Sequence, residues 1–154
     1  MGKIIGIDLG TSSVKMLLVA KNGEILKSVT KEYPICYPKS GWSEQNPEDW
    51  CEAFKTALGN LLTTAKAKKS QIEAISLDAA THTAVLLDGK LNIIRPAILW
   101  TDQRSKAQVQ WLKENALDVV MTQALNAPTT VWTLPQFMWL RENEPENWSK
   151  IRYV

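Results

Sequence analysis

The first residues able to do chemistry stand close together. Asp8 ends the apolar run "KIIGID", and Gly10, Thr11, Ser12 and Ser13 follow before the chain turns apolar again at "VKMLLVA". A backbone turn of small residues can aim several N–H groups at one anion, and hydroxyls add further donors. A carboxylate beside such a turn repels phosphate unless a cation stands between them, and Mg²⁺ favours carboxylate, water and phosphate oxygens. The residues therefore suggest a Mg²⁺–nucleotide seat. A hairpin closed by an Asx-type turn uses the same residue types. Composition alone leaves both readings open, because the stretch is neither a Walker loop nor a GxGxxG fingerprint.

A second polar interruption lies at "DAATHTAV", where Thr81 and the single histidine, His82, separate two apolar runs. Their side chains are hydrogen-bond partners suited to hydroxyl groups. An isolated histidine in a loop is otherwise an ordinary surface residue. The third stretch, "AILWTDQRS", offers Trp100, Asp102 and Arg104. Asp102 competes for a role as cap of the following helix, with Arg104 as its surface or hinge ion partner.

The elements that must position these groups can be read from periodicity. Lys3–Asp8, Val14–Lys21 and Glu24–Thr30 alternate as strands, and Asn22-Gly23 is a hairpin signal. Asn46 suits a helix N-cap and Pro47 the first helical position, with Glu48 and Asp49 at the positive end of the dipole. Trp50, Phe54, Ala57, Leu58, Leu61 and Leu62 then recur on one face, and Lys66, Lys68 and Lys69 are expected at the helix terminus. Strands are expected at 72–78, 83–88 and 96–100, with a Gly-Lys turn at 89–90. Helices are expected at Asp102–Asn115, Leu117–Leu125 and Leu134–Asn143, and "SKIRYV" reads as the beginning of a strand. Trp50, Trp111 and Trp139 fall on helix faces and are assigned to core. The order implies an α/β domain with a mixed sheet flanked by helices.

Bulk composition narrows the class. The chain has 154 residues and a net charge of +2, too small to imply nucleic acid or membrane as a partner. Cys36 and Cys51 lack CxxC spacing and read as two reduced thiols of a cytoplasmic protein.

"GIDLGTSSVK" resembles the phosphate-1 motif of the actin-like, ribonuclease-H-like ATPase superfamily. "GWSEQNPEDWCEAF", "ISLDAATHTAVLLD", "RPAILWTDQRS" and "TLPQFMWLRENEPE" narrow the resemblance to the FGGY carbohydrate kinases. Their order and spacing are similar to the N-terminal domain of xylulokinases. The resemblance implies that residues 1–154 are a partial N-terminal domain, one incomplete lobe of a two-lobed kinase. It implies ATP and Mg²⁺ as cofactors, a small sugar as substrate, and leaves room for a homodimer. Asp8 is then the catalytic acid that organises Mg²⁺ through water; Gly10, Thr11, Ser12, Ser13 and Lys15 bind phosphate. Thr81, His82, Trp100, Asp102 and Trp132 become the sugar contacts. Xylulokinases carry Met-His where this chain has Thr81-His82, whereas glycerol kinases carry Arg-Glu. The family's general-base Asp belongs to a motif beyond residue 154, so these residues by themselves are expected to be inactive. A non-catalytic actin-like or Hsp70-like nucleotide module is the other class considered; it gives no reason for the Thr-His loop or "AILWTDQRS".

Overall fold

The computed structural model describes residues 2–154. They form two compact units: residues up to Pro34 with Glu48–Ala80, and Ile35–Pro47 with Thr81–Val154.

The first unit is built on a four-stranded sheet. Strands β1 (Lys3–Leu9), β2 (Ser13–Ala20) and β3 (Ile25–Glu32) form an antiparallel meander, and β5 (Ile72–Ala79) lies parallel to β1 at the other side, giving the order β3-β2-β1-β5. The sheet is mixed, as the alternating patterns require. Gly23 takes φ +88° in the β2–β3 turn, where the Glu24 N–H donates to Asn22 Oδ1 at 3.1 Å. This is a conformation glycine adopts without a Cβ clash.

Helix α1 (Pro47–Thr64) opens on the proline and carries Glu48 and Asp49 in its first turn. Ala53, Ala57 and Leu61 are buried, and Trp50, Phe54, Leu58 and Leu62 pack beside them against Ile5, Ile7, Val14, Met16 and Leu18. Each large aliphatic side chain so covered contributes about 1.5–3 kcal/mol. The three expected terminal lysines do not lie in the helix. It stops at Thr64, Lys66 adopts φ +48°, and Lys69 begins a short 3₁₀ turn, Lys69–Gln71.

The second unit contains a two-stranded ladder, β4 (Glu44–Gln45) with β6 (Ala97–Ile98), and helices α2 (Lys106–Asn115), α3 (Leu117–Ala124), α4 (Thr133–Asn143) and α5 (Pro145–Lys150). Leu86, Ile98 and Leu140 form its apolar centre, with Phe137, Trp139 and Ile151 packed around them.

Several expectations are corrected here. The run 83–88 is not a strand: Leu87 makes only single bridges, to Ile93 and to Tyr153, while Leu86 is buried against helix α4. Its apolar residues satisfy burial without a ladder. In "SKIRYV", Ser149 and Lys150 close helix α5, and Tyr153 pairs with Leu87 in a β-bridge. The Gly-Lys turn does form, organised by Asp88, whose carboxylate accepts from the N–H groups of Lys90 at 2.8 Å and Asn92 at 2.9 Å and from Asn92 Nδ2 at 3.0 Å. The Asn92 side-chain bond first, then these backbone bonds, lower the Asp88 pKa. Helix α2 starts at Lys106 instead of Asp102, and Trp111 on it is 52% exposed rather than core.

Candidate functional site

In the first unit, strand pairing sets the surroundings of Asp8 and the turn that follows it. Ile5 and Ile7 face α1, so Asp8 points to the other face of the sheet and is exposed. Lys15 is its partner across β1–β2, and Asp78 its partner across β1–β5. Thr30 lies opposite Lys15, so Thr30, Lys15, Asp8 and Asp78 form one row across the sheet. Lys15 is exposed beside Asp8, which makes it a charge neighbour of the acid.

The turn between β1 and β2 closes tightly: the Gly10 N–H donates to the Ser13 carbonyl at 3.0 Å. That N–H is therefore committed within the turn, and a Cβ at Gly10 would meet only ordinary contacts. A Cβ there would stand 3.4 Å from the Ser13 carbonyl oxygen and 3.7 Å from Asp8 Oδ1. Thr11 and Ser13 are half-buried and Ser12 is exposed. Tyr33, just past β3, donates its hydroxyl to the Gly10 carbonyl and its backbone N–H to the Ser12 carbonyl, the latter at 3.1 Å. Burial, and then the Asp8 carboxylate, push the Tyr33 pKa up to about 12.

Thr81, His82, Trp100, Asp102 and Trp132 all belong to the second unit. Thr81 and His82 are exposed in the loop after β5, and His82 holds φ +52°. A non-glycine residue in this region is strained, and such strain concentrates at functional loops. Trp100 follows β6 with 41% of its surface exposed. Trp132 is half-buried at the N-terminal boundary of α4.

Asp102 is buried, with its carboxylate oxygens occupied by donors of its own unit. It is 1% exposed and accepts from the Ser43 N–H at 2.7 Å, the Arg104 N–H at 2.8 Å, Arg104 Nε at 2.9 Å and Arg104 Nη2 at 2.8 Å. It does not cap α2, whose N-cap is Ser105. Arg104 is buried, not a surface partner. Its Nη1 stands 2.7 Å from Glu44 Oε1, a charge contact without hydrogen-bond alignment. Glu44 also pairs with Arg95, whose Nε reaches Glu144 Oε2 at 3.0 Å. The Arg104 guanidinium lies over the Trp42 ring at 3.8 Å, and Trp139 meets Trp42 edge-on at 5.2 Å. Gly41, at φ +77°, accepts the Gln103 N–H at 2.8 Å and lets the "GWSEQ" segment turn against this cluster. The stretches "GWSEQ" and "WTDQRS" are thus tied by ions into one scaffold.

Sequence reading missed Asp78 and Tyr33. Asp78 had a faint signal, since both parallel strands end in an apolar-acid pair. Tyr33 had none, because its partner is set by the return of β3 to the first turn.

Comparison with known proteins gives a consistent assignment. Residues 3–154 match the family described as "FGGY family of carbohydrate kinases, N-terminal domain". The chain is 39% identical over 150 residues to a xylulose kinase of Bacillus subtilis (strain 168), covering 97% of this chain and 30% of that protein. It is 36% identical over 154 residues to a xylulose kinase of Lactococcus lactis subsp. lactis (strain IL1403), covering 100% of this chain and 31% of that protein. Among solved structures, a xyloylose kinase from Brucella ovis superposes with TM-score 0.93 at 33% identity, over 99% of this chain and 32% of its own. A gluconate kinase from Lactobacillus acidophilus follows at TM-score 0.89 and 26% identity, over 97% of this chain and 30% of its own. The chain thus spans about 30% of the length of the curated relatives it matches. Among the described residues, no helix is long and apolar enough to cross a membrane.

Proposed function

The chain belongs to the FGGY family of carbohydrate kinases, within the N-terminal domain, and from that premise we propose that the complete protein transfers the γ-phosphoryl group of ATP to a hydroxyl of a small sugar, D-xylulose first among them. The observation that carries the reading is the β1–β2 turn: an exposed acid at a strand end, flanked by Lys15 and followed at once by Thr11, Ser12 and Ser13. The similarity to xylulose kinases supports the sugar. The gluconate kinase likeness keeps aldonates as the second class to test.

The residues fit Mg²⁺–ATP by their chemistry. Asp8 is an exposed oxygen donor beside a hydroxyl-rich turn, as Mg²⁺ held through water requires. Bound there, Mg²⁺ supplies neutralisation of the phosphate oxygens. Lys15 adds a fixed positive charge, and the Thr11, Ser12 and Ser13 hydroxyls donate to phosphate, each charge-assisted bond contributing roughly 1.5–3 kcal/mol. Thr81 and His82 hydrogen-bond sugar hydroxyls, while Trp100 and Trp132 offer aromatic surface to sugar C–H groups. Phosphoryl transfer depends chiefly on such positioning and charge neutralisation. The 154 residues alone are proposed to be inactive, since no acid here matches the family's general-base motif.

The test is a panel of ketoses, polyols and aldonates with Mg·ATP and the complete gene product, read by ADP release. D-Xylulose is expected to give the highest kcat/KM. A preference for an aldonate moves the assignment within the family, and nucleotide binding without sugar-dependent ADP release overturns it in favour of a non-catalytic module.

A further inference from the structure

A turn that seats an anion must keep its own carbonyl oxygens out of the seat, because they repel the charge that its N–H groups attract. In a planar trans peptide the C=O and the following N–H point in opposite directions. Fixing one therefore aims the other. Two carbonyls of the β1–β2 turn are fixed by a single residue outside it: the Tyr33 hydroxyl takes the Gly10 carbonyl, and the Tyr33 N–H takes the Ser12 carbonyl at 3.1 Å. The peptides so held are those that carry the N–H groups of Thr11 and Ser13.

We infer that Tyr33 is a positioning residue for the phosphate turn, anchoring the Gly10 and Ser12 carbonyls so that the Thr11 and Ser13 N–H groups face the anion; the inference rests on the kinase reading above. Tyr33 is itself anchored, with 7% of its surface exposed and its ring in the core of the first unit. The other contact of the turn, Gly10 N–H to the Ser13 carbonyl, occupies the third carbonyl in the same way. The hydroxyl stays protonated through the working pH range, since burial and Asp8 push its pKa up to about 12. It is a permanent donor, and its removal leaves the Gly10 carbonyl free to swing toward the phosphate.

The experiment uses the complete gene product and Tyr33→Phe, which keeps the ring and deletes the donor. The KM for Mg·ATP is expected to rise about 3- to 10-fold, the equivalent of one neutral hydrogen bond. The KM for the sugar should stay unchanged, and the melting temperature should fall by no more than a few degrees. An unchanged ATP KM, or an equal rise in both KM values, overturns the inference. If the wild-type protein neither turns over nor binds Mg·ATP, the kinase reading fails and this inference with it. Normal wild-type turnover with an indifferent variant removes only the inference. Should Tyr33→Phe fold poorly, NMR on the wild type decides: Mg·ATP is expected to move the Thr11 and Ser13 amide resonances most, and silence at both overturns the proposal.

Discussion

Asp102→Ala tests whether the buried ions of the second unit are its scaffold. The wild-type carboxylate takes four donors, from Ser43 and Arg104, between 2.7 and 2.9 Å, and is 1% exposed. Removing one partner of such a pair leaves a buried charge and unsatisfied N–H groups, at a cost of about 3–5 kcal/mol. Arg104 keeps its contact with Glu44 at 2.7 Å and its place over Trp42. That retention puts the expected loss near the lower end, about 3 kcal/mol. At about 4–8 °C per kcal/mol for a unit of this size, the melting midpoint of the second unit should fall by roughly 12–24 °C. Two compact units make a single two-state transition an unsafe assumption, so the probe must report on one of them. Tryptophan fluorescence does so, because every tryptophan except Trp50 lies in the second unit. Asp102→Asn, which keeps volume and one acceptor, should fall between wild type and alanine. A shift below about 4 °C for the alanine variant, under 1 kcal/mol on the same scale, would refute the scaffold argument.

Three further outcomes follow from the same geometry. Asp8→Ala in the complete protein should lower kcat at least about 100-fold through loss of charge organisation at the phosphate, while its exposed position keeps the stability change within about 0.5 kcal/mol; near-normal turnover removes Asp8 from the mechanism. His82→Ala should raise the sugar KM far more than it lowers kcat, and His82→Gly should do the same while gaining about 1 kcal/mol from the relieved left-handed backbone. A glycine variant that melts lower than wild type contradicts the strain. Tyr33 predicts a pH dependence of stability: its ionisation lies near 10.0 when unfolded and about 12 when folded, so its contribution is complete below pH 10.0 and is lost as pH rises toward 12. Chemical denaturation between pH 9 and pH 12 should show that decline in the wild type and a shallower one in Tyr33→Phe.

How much of this was legible in the sequence depends on which interactions shape each segment. The first unit could be read because its strands alternate and α1 is amphipathic: Ile5, Ile7, Val14, Met16 and Leu18 face the helix and Asp8 and Lys15 do not, a period-2 pattern with one partner layer. The second unit could not, because its order comes from contacts distant in sequence. The run 83–88 has the composition of a strand but buries Leu86 against α4 without a ladder, and β4 is two residues held to β6. Helix α2 starts late because Asp102 binds Ser43, 59 residues away, instead of capping it. Trp111 carries the helical spacing of a core residue on a face that remains half exposed. At the site, Asp8 and the turn were visible as a contiguous motif, whereas Asp78 and Tyr33 required the register of the sheet.

Asp8 and Asp102 show why residue type and local setting did not settle function. Each is an aspartate at or just beyond the end of an apolar β segment, followed by a small turn of polar residues. The difference lies in what surrounds the carboxylate. Asp102 has both oxygens occupied by donors of its own unit and is shut from solvent, so any ligand would first have to displace a guanidinium and two N–H groups. Those bonds are worth more to the buried carboxylate than a sugar hydroxyl could return. Asp8 is exposed on a sheet face, with a cationic neighbour on one strand and a second carboxylate, Asp78, on the other. Two carboxylates in register repel each other, and a divalent cation relieves that repulsion while the lysine relieves only part of it. A divalent cation bound there, as proposed, would stabilise this end of the sheet as well as serving a phosphate.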